Sequence, residues 1–302
     1  MNLRQRDEKG VIKIALFESY SNGKEEGVIK PFPFTTISNS QAYMDHARNT
    51  LSIIRKFVPN AEVYLLPFHS NSARRFVAEN DFQIANISLA TPAVYPYMEE
   101  ISEKTFIAQA VGNDGERGEV EGAVWEKCCA VGSVYSLMDP VSSSGHGKGA
   151  VDTVAEVGLD YGYGKMYGTS FAAPVITGLV AQYMIWYNRT TGSWPSVNNC
   201  VKFVKLNSQD IFEDGKDLRT GWGLLRLPKK FVASKLIITE GERLAKLIEY
   251  TEGETDKESM VDLLTNARIV DNRMVAPLRG TANAFGLQVS WDGELHQASF
   301  LD

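Results

Sequence analysis

The sequence predicts an α/β protein: a mostly parallel sheet flanked by helices, followed by a small C-terminal α+β domain. Short apolar runs without polar alternation recur along the first half of the chain, as expected for strands that are covered on both faces. Segments with helical periodicity separate these runs, and this alternation is typical of a parallel sheet with crossover helices. The composition, 44% hydrophobic and 23% charged over 302 residues, is ordinary for a globular protein.

The apolar runs and the periodic segments give the expected order of elements. Five strands are predicted, at residues 11–17, 61–66, 84–89, 105–111 and 128–134. Three helices are predicted between them, at about 40–57, 72–80 and 92–103. The longest apolar stretch, residues 171–187, contains Pro174 and Gln182 and is interpreted as a buried helix rather than a membrane span.

The residue pattern of the chain changes after about Pro228, and this change predicts two domains, residues 1–234 and residues 235–302. The segment 239–259 is rich in Glu and Lys and is expected to form either a helix or a polar hairpin. The sequence shows no internal repeat and no low-complexity tract.

Charge and cysteine content argue against several classes of protein. The formal net charge is −6 and no run is rich in Lys or Arg, so nucleic acid is not an expected partner. Two of the three cysteines are adjacent, Cys128 and Cys129, so a disulfide framework is not expected, and no spacing of metal ligands is seen. Residues 1–10 are polar, with no signal peptide or propeptide visible, which predicts a cytoplasmic protein.

Residues 168–178 carry the strongest functional signal in the chain. Gly168 and Thr169 are small enough to let a substrate backbone approach Ser170, the candidate nucleophile. Pro174 fits an early helical turn, where a missing N–H costs little. The N-terminus of such a helix points unpaired N–H groups at developing negative charge, which acyl transfer requires. A serine at a helix start is common, so the interpretation depends on partner residues elsewhere.

This string closely resembles the nucleophile motif of the subtilisin-like serine proteases (subtilases). The similarity extends, in order, over roughly residues 8–230. In that family the acid, the histidine and the oxyanion asparagine precede the serine in this order. The resemblance implies a subtilisin-like fold and a serine endopeptidase that hydrolyses peptide bonds through an acyl-enzyme intermediate.

Two of the implied residues depart from the family pattern. The apolar segment 11–19 resembles the strand that leads to the catalytic aspartate, but the carboxylate here is Glu18. It would accept a hydrogen bond from Nδ1 of the histidine and fix its tautomer. The histidine is His46, in a His-Ala-Arg context where the family has His-Gly-Thr. His146 is the second candidate for the base, and Asp152 is an alternative carboxylate partner for His46.

The oxyanion and substrate-binding positions follow later in the chain. Residues 106–115 resemble a buried strand that ends in the family's oxyanion turn, which implies that Asn113 is the oxyanion donor; a plain turn is the alternative. Residues 84–92 resemble the strand that pairs with an extended substrate. Substrate-binding roles are therefore implied for Ser88, Leu89, Ala90, Thr91 and Gly112. Ala90 and Thr91 replace the family's usual glycine pair, so small or medium P1 side chains are expected.

Two kinds of function are consistent with these residues. The first is an active endopeptidase with a Glu18/His46/Ser170 triad and a protein or peptide substrate. The second is a subtilase-fold binding or structural protein that has lost turnover, which the altered acid and histidine context favour. Retention of His46, Asn113 and Ser170 favours the protease. The resemblance implies that no cofactor is required, and it leaves structural calcium open.

The C-terminal region carries a separate resemblance. Residues 267–279 and 282–293 predict a strand, turn, helix and strand, and they resemble the small stalk-type domain known as the copper amine oxidase N-terminal-like domain. No copper site is visible in them. The likeness implies an accessory or targeting role, an envelope or protein partner, and a bacterial or bacteriophage origin. A folded appendage that packs on the protease is the alternative.

Overall fold

The computed structural model divides the chain into two compact units, Met1–Leu227 and Pro228–Asp302. The residues that it describes are 10–18, 41–89, 95–115, 128–135, 139–140, 144, 151–162, 164–238, 243–263, 268–270, 273–275, 288–292 and 297–301.

Within the described residues, a nine-stranded sheet forms the centre of the first unit. Its strands are β1 (Lys13–Glu18), β2 (Glu62–Pro67), β3 (Ile84–Ile87), β4 (Phe106–Ala110), β5 (Cys128–Tyr135), β6 (Asp139–Pro140), β7 (Thr153–Val157), β8 (Ser208–Gln209) and β9 (Leu224–Leu225). They lie in the order β2-β1-β3-β4-β5-β7-β9-β8, with β6 beside β5. The neighbours from β2 through to β9 are parallel, whereas β8 and β6 pair antiparallel with β9 and β5.

The helices of the first unit are α1 (Gln41–Phe57), α2 (Asn71–Glu79), α3 (Met98–Lys104), α4 (Thr169–Thr191) and α5 (Val197–Asn207). Ser70 and Ser196 cap the starts of α2 and α5 with side-chain oxygens that accept backbone N–H groups. Gly192 ends α4 in the left-handed conformation, with φ of 77°. None of the helices in the described part of the chain is long and apolar enough to cross a membrane.

The helices cover both faces of the sheet. Alternate residues of the strands, including Ala15, Phe17, Ala85 and Ile87, pack in one core cluster with the buried side chains of α2 and α3. On the other face, α4 packs against β3, β4, β5 and β7 and against α1. The predicted mostly parallel sheet flanked by helices is therefore confirmed.

The element boundaries follow the sequence pattern with one exception. The five predicted strands are β1 to β5, with ends that shift by at most two residues. The first two predicted helices are α1 and α2. The third helix begins at Met98 instead of near residue 92, because Tyr97 has a left-handed φ of 74° and cannot continue a helix. Residues 90–94 lie outside the described part of the chain.

Helix α4 approaches its neighbours closely because its contact face carries small residues. A Cβ atom at Gly178 would lie 2.5 Å from ring atoms of Phe57 in α1, so only glycine allows this approach. At the preceding residue, the Thr177 hydroxyl donates to Asn86 Oδ1 on β3 at 2.9 Å, and both side chains are fully buried. This hydrogen bond fixes α4 to the strand that ends beside the candidate site.

The second unit is described as strands. β10 (Val232–Ile237), β11 (Leu244–Thr251) and β12 (Lys257–Asp262) form an antiparallel sheet, followed by the hairpins β13 (Arg268–Val270) with β14 (Arg273–Val275) and β15 (Gln288–Asp292) with β16 (Gln297–Leu301).

Two sequence expectations for this region can be compared with these strands. Of the two alternatives for residues 239–259, the hairpin is found, in β11 and β12. The compact units divide after Leu227, and β10 belongs to the second unit because it pairs with β11; the domain boundary expected at residue 234 stays a prediction. The helix expected from the stalk-like resemblance falls between β14 and β15, outside the described residues, and that resemblance stays a prediction.

Candidate active site

The site residues expected from the sequence lie where neighbouring strands end. Glu18 is the last residue of β1, Ser88 follows β3, and Gly112 and Asn113 follow β4. Because these strands are parallel, their carboxyl ends share one edge of the sheet. Strand β2 lies on one side of β1, and the next strand along the chain, β3, lies on the other side. The order of strands therefore reverses direction at β1, and ligands bind preferentially at such a switch point.

Glu18 and His46 form a largely buried pair at this edge. Phe17 faces α2 and α3, so strand alternation turns Glu18 to the other face, where α1 carries His46. Nδ1 of His46 donates a hydrogen bond to Glu18 Oε2 at 2.8 Å. The Glu18 side chain is 2% exposed and the His46 side chain is 25% exposed. The other carboxylate oxygen, Oε1, accepts a hydrogen bond of 2.7 Å from the hydroxyl of Thr50, which is fully buried in α1.

The pairing raises the pKa of His46 above its ordinary value. Burial is the largest single influence and by itself would lower the pKa, but the negative charge of Glu18 and its hydrogen bond together outweigh it. With the Nδ1 proton directed at Glu18, the neutral ring has its free lone pair on Nε2. A general base uses this atom to take a proton from a serine hydroxyl.

Ser170 is half-buried in the first turn of α4. The ring of the next residue, Phe171, packs beside the imidazole of His46, with ring centroids 5.2 Å apart and planes inclined by 43°. This contact brings the N-terminus of α4 next to the Glu18–His46 pair. Among the described residues, the side-chain hydrogen bond of His46 goes to Glu18 and none joins it to Ser170. Catalytic hydrogen bonds are often long until substrate binds.

The first turn of α4 is also bonded to the turn after β4. The backbone N–H of Thr169 donates to Asn113 Oδ1 at 3.0 Å, and the backbone N–H of Gly112 donates to Thr169 Oγ1 at 3.1 Å. The Asn113 side chain is exposed, and its oxygen is the atom that accepts this hydrogen bond from the helix. Gly168 has φ of 109°, and a Cβ atom there would lie 3.3 Å from Asn113 Oδ1, so this position favours glycine.

The implied substrate-binding residues are only partly described. Ser88 is buried, and its hydroxyl accepts a hydrogen bond from Asn86 Nδ2 at 2.9 Å, so a substrate would meet Ser88 through its backbone. Leu89 is half-buried. Ala90 and Thr91 lie outside the described residues, and the P1 preference expected from them stays a prediction. His146, the second candidate for the base, also lies outside them.

The alternative carboxylate, Asp152, does not contact His46. Asp152 precedes β7, which lies four strands from β1 in the sheet order. At about 4.8 Å per strand, β7 is roughly 19 Å from β1, the strand that carries Glu18. The two oxygens of Asp152 accept hydrogen bonds from the Ala130 N–H at 2.9 Å and from Lys216 Nζ at 2.8 Å. Among the described residues, Glu18 is therefore the carboxylate that contacts His46.

The cysteines lie away from this chemistry. All three are free and buried, and burial raises the pKa of each thiol, which disfavours the reactive thiolate. Within the described ranges, no group of three or more His, Cys, Asp or Glu side chains is placed to hold a metal ion. The family's structural calcium stays an untested expectation for this chain.

Sequence reasoning missed two hydroxyl groups that hold the site together. Thr50 follows His46 by four residues, and this spacing, which puts both on one face of α1, is the signal that could have identified it. Thr169 is expected from the sequence only to be small, whereas its hydroxyl joins α4 to Gly112. Asn86 is a polar residue inside the apolar run 84–89, and that interruption marks the buried contact with α4.

Comparison with known proteins gives one family. Residues 61–223, more than half of the chain, match the subtilase family, Peptidase S8. The matched range contains Asn113 and Ser170 and begins after Glu18 and His46, so the assignment of the first two positions depends on the geometry described above. No curated protein sequence matches the chain.

Solved structures share the fold at low sequence identity. A lanthipeptide protease is 16% identical with a TM-score of 0.56, over 72% of this chain and 85% of that one. The prenylagaramide maturation protease PagA is 18% identical with a TM-score of 0.58, over 72% and 91%. A cold-adapted subtilisin-like serine proteinase is 17% identical with a TM-score of 0.54, over 72% and 89%.

Proposed function

This chain belongs to the subtilase family of serine proteases, and from this membership we propose that it is an active serine endopeptidase. The proposed triad is Glu18, His46 and Ser170, with Asn113 as the oxyanion donor. The observation that carries the proposal is the 2.8 Å hydrogen bond between the buried Glu18 carboxylate and His46 Nδ1, beside the N-terminus of α4. A buried ionisable pair with a raised histidine pKa at the edge of a sheet favours a functional role.

In the proposed reaction, Ser170 Oγ attacks the carbonyl carbon of the substrate while His46 Nε2 accepts the hydroxyl proton. Glu18 stabilises the imidazolium that forms. The NH₂ group of Asn113 and the backbone N–H of Ser170, in the first turn of α4, stabilise the negative charge on the carbonyl oxygen. His46 then gives its proton to the leaving amine nitrogen as the C–N bond breaks, and an acyl-enzyme remains.

Water completes the proposed cycle. A water molecule attacks the acyl carbon and passes a proton to His46. The ester bond to Ser170 then breaks, His46 returns the proton to Ser170 Oγ, and the carboxylic acid product leaves. Glu18 keeps the same contact with Nδ1 in both halves of the reaction, so one orientation of His46 serves both proton transfers.

The proposed substrate is a protein or peptide bound in an extended form along the backbone that follows β3, at Ser88 and Leu89. Two of the similar structures are a lanthipeptide protease and a maturation protease. Processing of a precursor peptide at a defined position is therefore one specific form of the proposal. Precursor-type peptides should accordingly be tested beside a general substrate such as casein.

Binding without turnover is the second candidate function. It is favoured by the glutamate at the acid position, and by the absence, among the described residues, of a hydrogen bond between His46 and Ser170. Such a protein would use the same edge of the sheet to hold a peptide. The two candidates differ in one chemical property, the nucleophilicity of Ser170.

Labelling with a fluorophosphonate, read by intact mass, tests that property. We expect one adduct on the wild-type protein and hydrolysis of casein. Ser170→Ala should lose both while keeping the wild-type melting temperature, because a small, half-buried side chain is shortened. Ser193→Ala, which changes an exposed serine just after α4, is the matched control and should keep both. An adduct on Ser170→Ala would contradict the assignment of Ser170 as the nucleophile. A folded wild-type protein that gives neither an adduct nor hydrolysis would support the binding function.

A further inference from the structure

The acid in this site has a second hydrogen-bond donor besides His46. Thr50 Oγ1 donates to Glu18 Oε1 at 2.7 Å, while His46 Nδ1 donates to Oε2 at 2.8 Å. Both donors come from α1, one turn apart on the same face. Each oxygen of the carboxylate therefore has its own partner, and both partners move as one rigid element.

The length of the acid makes this second donor important. A glutamate has one more rotatable bond than the aspartate usual in the family, and fixing each additional bond costs conformational entropy. A single contact to His46 would leave the carboxylate free to rotate about its last bond. It would also leave Oε1 buried without a partner, which is unfavourable for a charged oxygen. The Thr50 hydroxyl satisfies Oε1 and sets the plane of the carboxylate.

We propose that Thr50 is a positioning residue that holds Glu18 against His46 and thereby allows a glutamate to act as the triad acid. This inference rests on the proposed function. Thr50 does not touch the reacting atoms, and its effect passes through Glu18 to the tautomer and the basicity of His46.

A purely structural role for Thr50 is the competing explanation. Its hydroxyl also lies 3.0 Å from the carbonyl oxygen of Ala47, in the preceding turn of α1. If that contact were its main one, loss of the hydroxyl would affect the stability of α1 and leave His46 unchanged. The pKa of His46 separates the two explanations, because the Glu18 charge and hydrogen bond are what raise it.

Among the described residues, the other charged groups of α1 near His46 leave its pKa a clear report on Glu18. Asp45 and Arg48 form a salt bridge of 3.0 Å with each other, and both side chains are close to half exposed. Phe171, which packs on the imidazole from α4, carries no charge. A change in the pKa of His46 on mutation of Thr50 therefore reports on Glu18.

The test compares Thr50→Val, which keeps the shape and deletes the hydroxyl, with Thr50→Ser, which keeps the hydroxyl. In Thr50→Val we expect kcat to fall about 10- to 100-fold, the size expected for loss of a hydrogen bond to a charged group, with KM little changed. The acidic limb of the pH profile should move to lower pH, because burial still lowers the pKa of His46 while the effect of Glu18 is weakened. Thr50→Ser should restore both quantities. Thr50→Ala replaces Thr50→Val if the latter does not fold.

A second measurement needs no activity. The pKa of His46 is measured by NMR titration in the Ser170→Ala background, with the His46 signal identified by its loss in His46→Gln. A lower pKa in Thr50→Val than in Thr50→Ser supports the positioning role even if the wild-type protein does not cleave casein, in which case only the proposed protease function fails. An equal or higher pKa in Thr50→Val, or a fall in kcat that only follows a loss of folded protein, would overturn the inference.

Discussion

Replacing Glu18 with glutamine removes the charge of the proposed triad acid and almost preserves its shape. Both carboxylate oxygens accept hydrogen bonds, from His46 Nδ1 and from Thr50 Oγ1. Glutamine has one oxygen and one NH₂ group, so it can take two orientations. If the NH₂ faces Thr50, whose hydroxyl can donate to Ala47 instead, only the charge is lost. If the NH₂ faces His46, the imidazole is held in the wrong tautomer.

The two orientations bracket the expected loss of activity. Unit charges about 4 Å apart interact by about 4 kcal/mol at an effective dielectric constant of about 20. Because the His46 side chain is 25% exposed, we take about half of this as the lower bound. That energy, about 2 kcal/mol, corresponds to roughly 30-fold in rate. A wrong tautomer costs about 10⁴-fold in a serine protease. We therefore expect Glu18→Gln to lower kcat/KM by a factor between these limits.

The assay is kcat/KM as a function of pH, with Glu79→Gln as the control because it removes an exposed carboxylate that pairs with Arg75. The acidic limb of the wild-type protein should lie above about pH 6.5, the ordinary pKa of histidine, because His46 must be neutral to act as a base. In Glu18→Gln the limb should move to lower pH. A loss of less than about threefold, or an unmoved limb, would refute the role of Glu18.

The dependence of Tm on pH is a second, independent test of the interaction between Glu18 and His46. Since folding raises the pKa of His46, the protonated form stabilises the folded state. This contribution is fully present below the ordinary pKa and is lost as the pH rises through the raised one. The difference in Tm between wild type and Glu18→Gln should therefore be larger at about pH 5.5 than at about pH 9.

Two further changes test the framework of the site. Thr169→Val deletes the hydroxyl that accepts the Gly112 N–H and leaves a buried donor unpaired, so the free energy of unfolding should fall by about 1–3 kcal/mol. Turnover should also slow, and Thr169→Ser should behave like wild type in denaturant titration and casein assay. Gly178→Ala places a methyl group against Phe57 and pushes α1 from α4, so a loss of about 1–3 kcal/mol is expected. An unchanged Tm in Gly178→Ala would contradict the close packing of these helices.

The strands were predictable because a strand that is buried on both faces is encoded by a short run of mostly apolar residues. β1 to β5 are runs of apolar residues, and their covered positions need no polar alternation. The start of α3 was not predictable, since the left-handed φ of Tyr97 is a property that no local residue preference indicates. The boundary of the second unit depended on the pairing of β10 with β11, which is a contact between segments and not a feature of either one.

The order of acid, base, amide and nucleophile along the chain could be proposed from motifs alone. What the motifs could not supply was the choice between carboxylates. Glu18 and Asp152 were both candidates for His46 until the sheet order placed β1 and β7 four strands apart. The hydroxyl contacts of Thr50 and Thr169 were likewise hidden, because each joins residues far apart in sequence.

Strand β1 is the first of the described strands, yet it lies inside the sheet, between β2 and β3. The carboxylate of Glu18, the last residue of β1, is therefore fixed only after the later strands β2 and β3 have paired with β1 on either side. The serine is synthesised later still, on a helix whose first turn must be bonded to the turn after β4. A chain leaving the ribosome thus carries its reactive groups long before they can cooperate. Under the proposed protease function, peptide hydrolysis needs all of these groups in place and therefore requires the folded first unit.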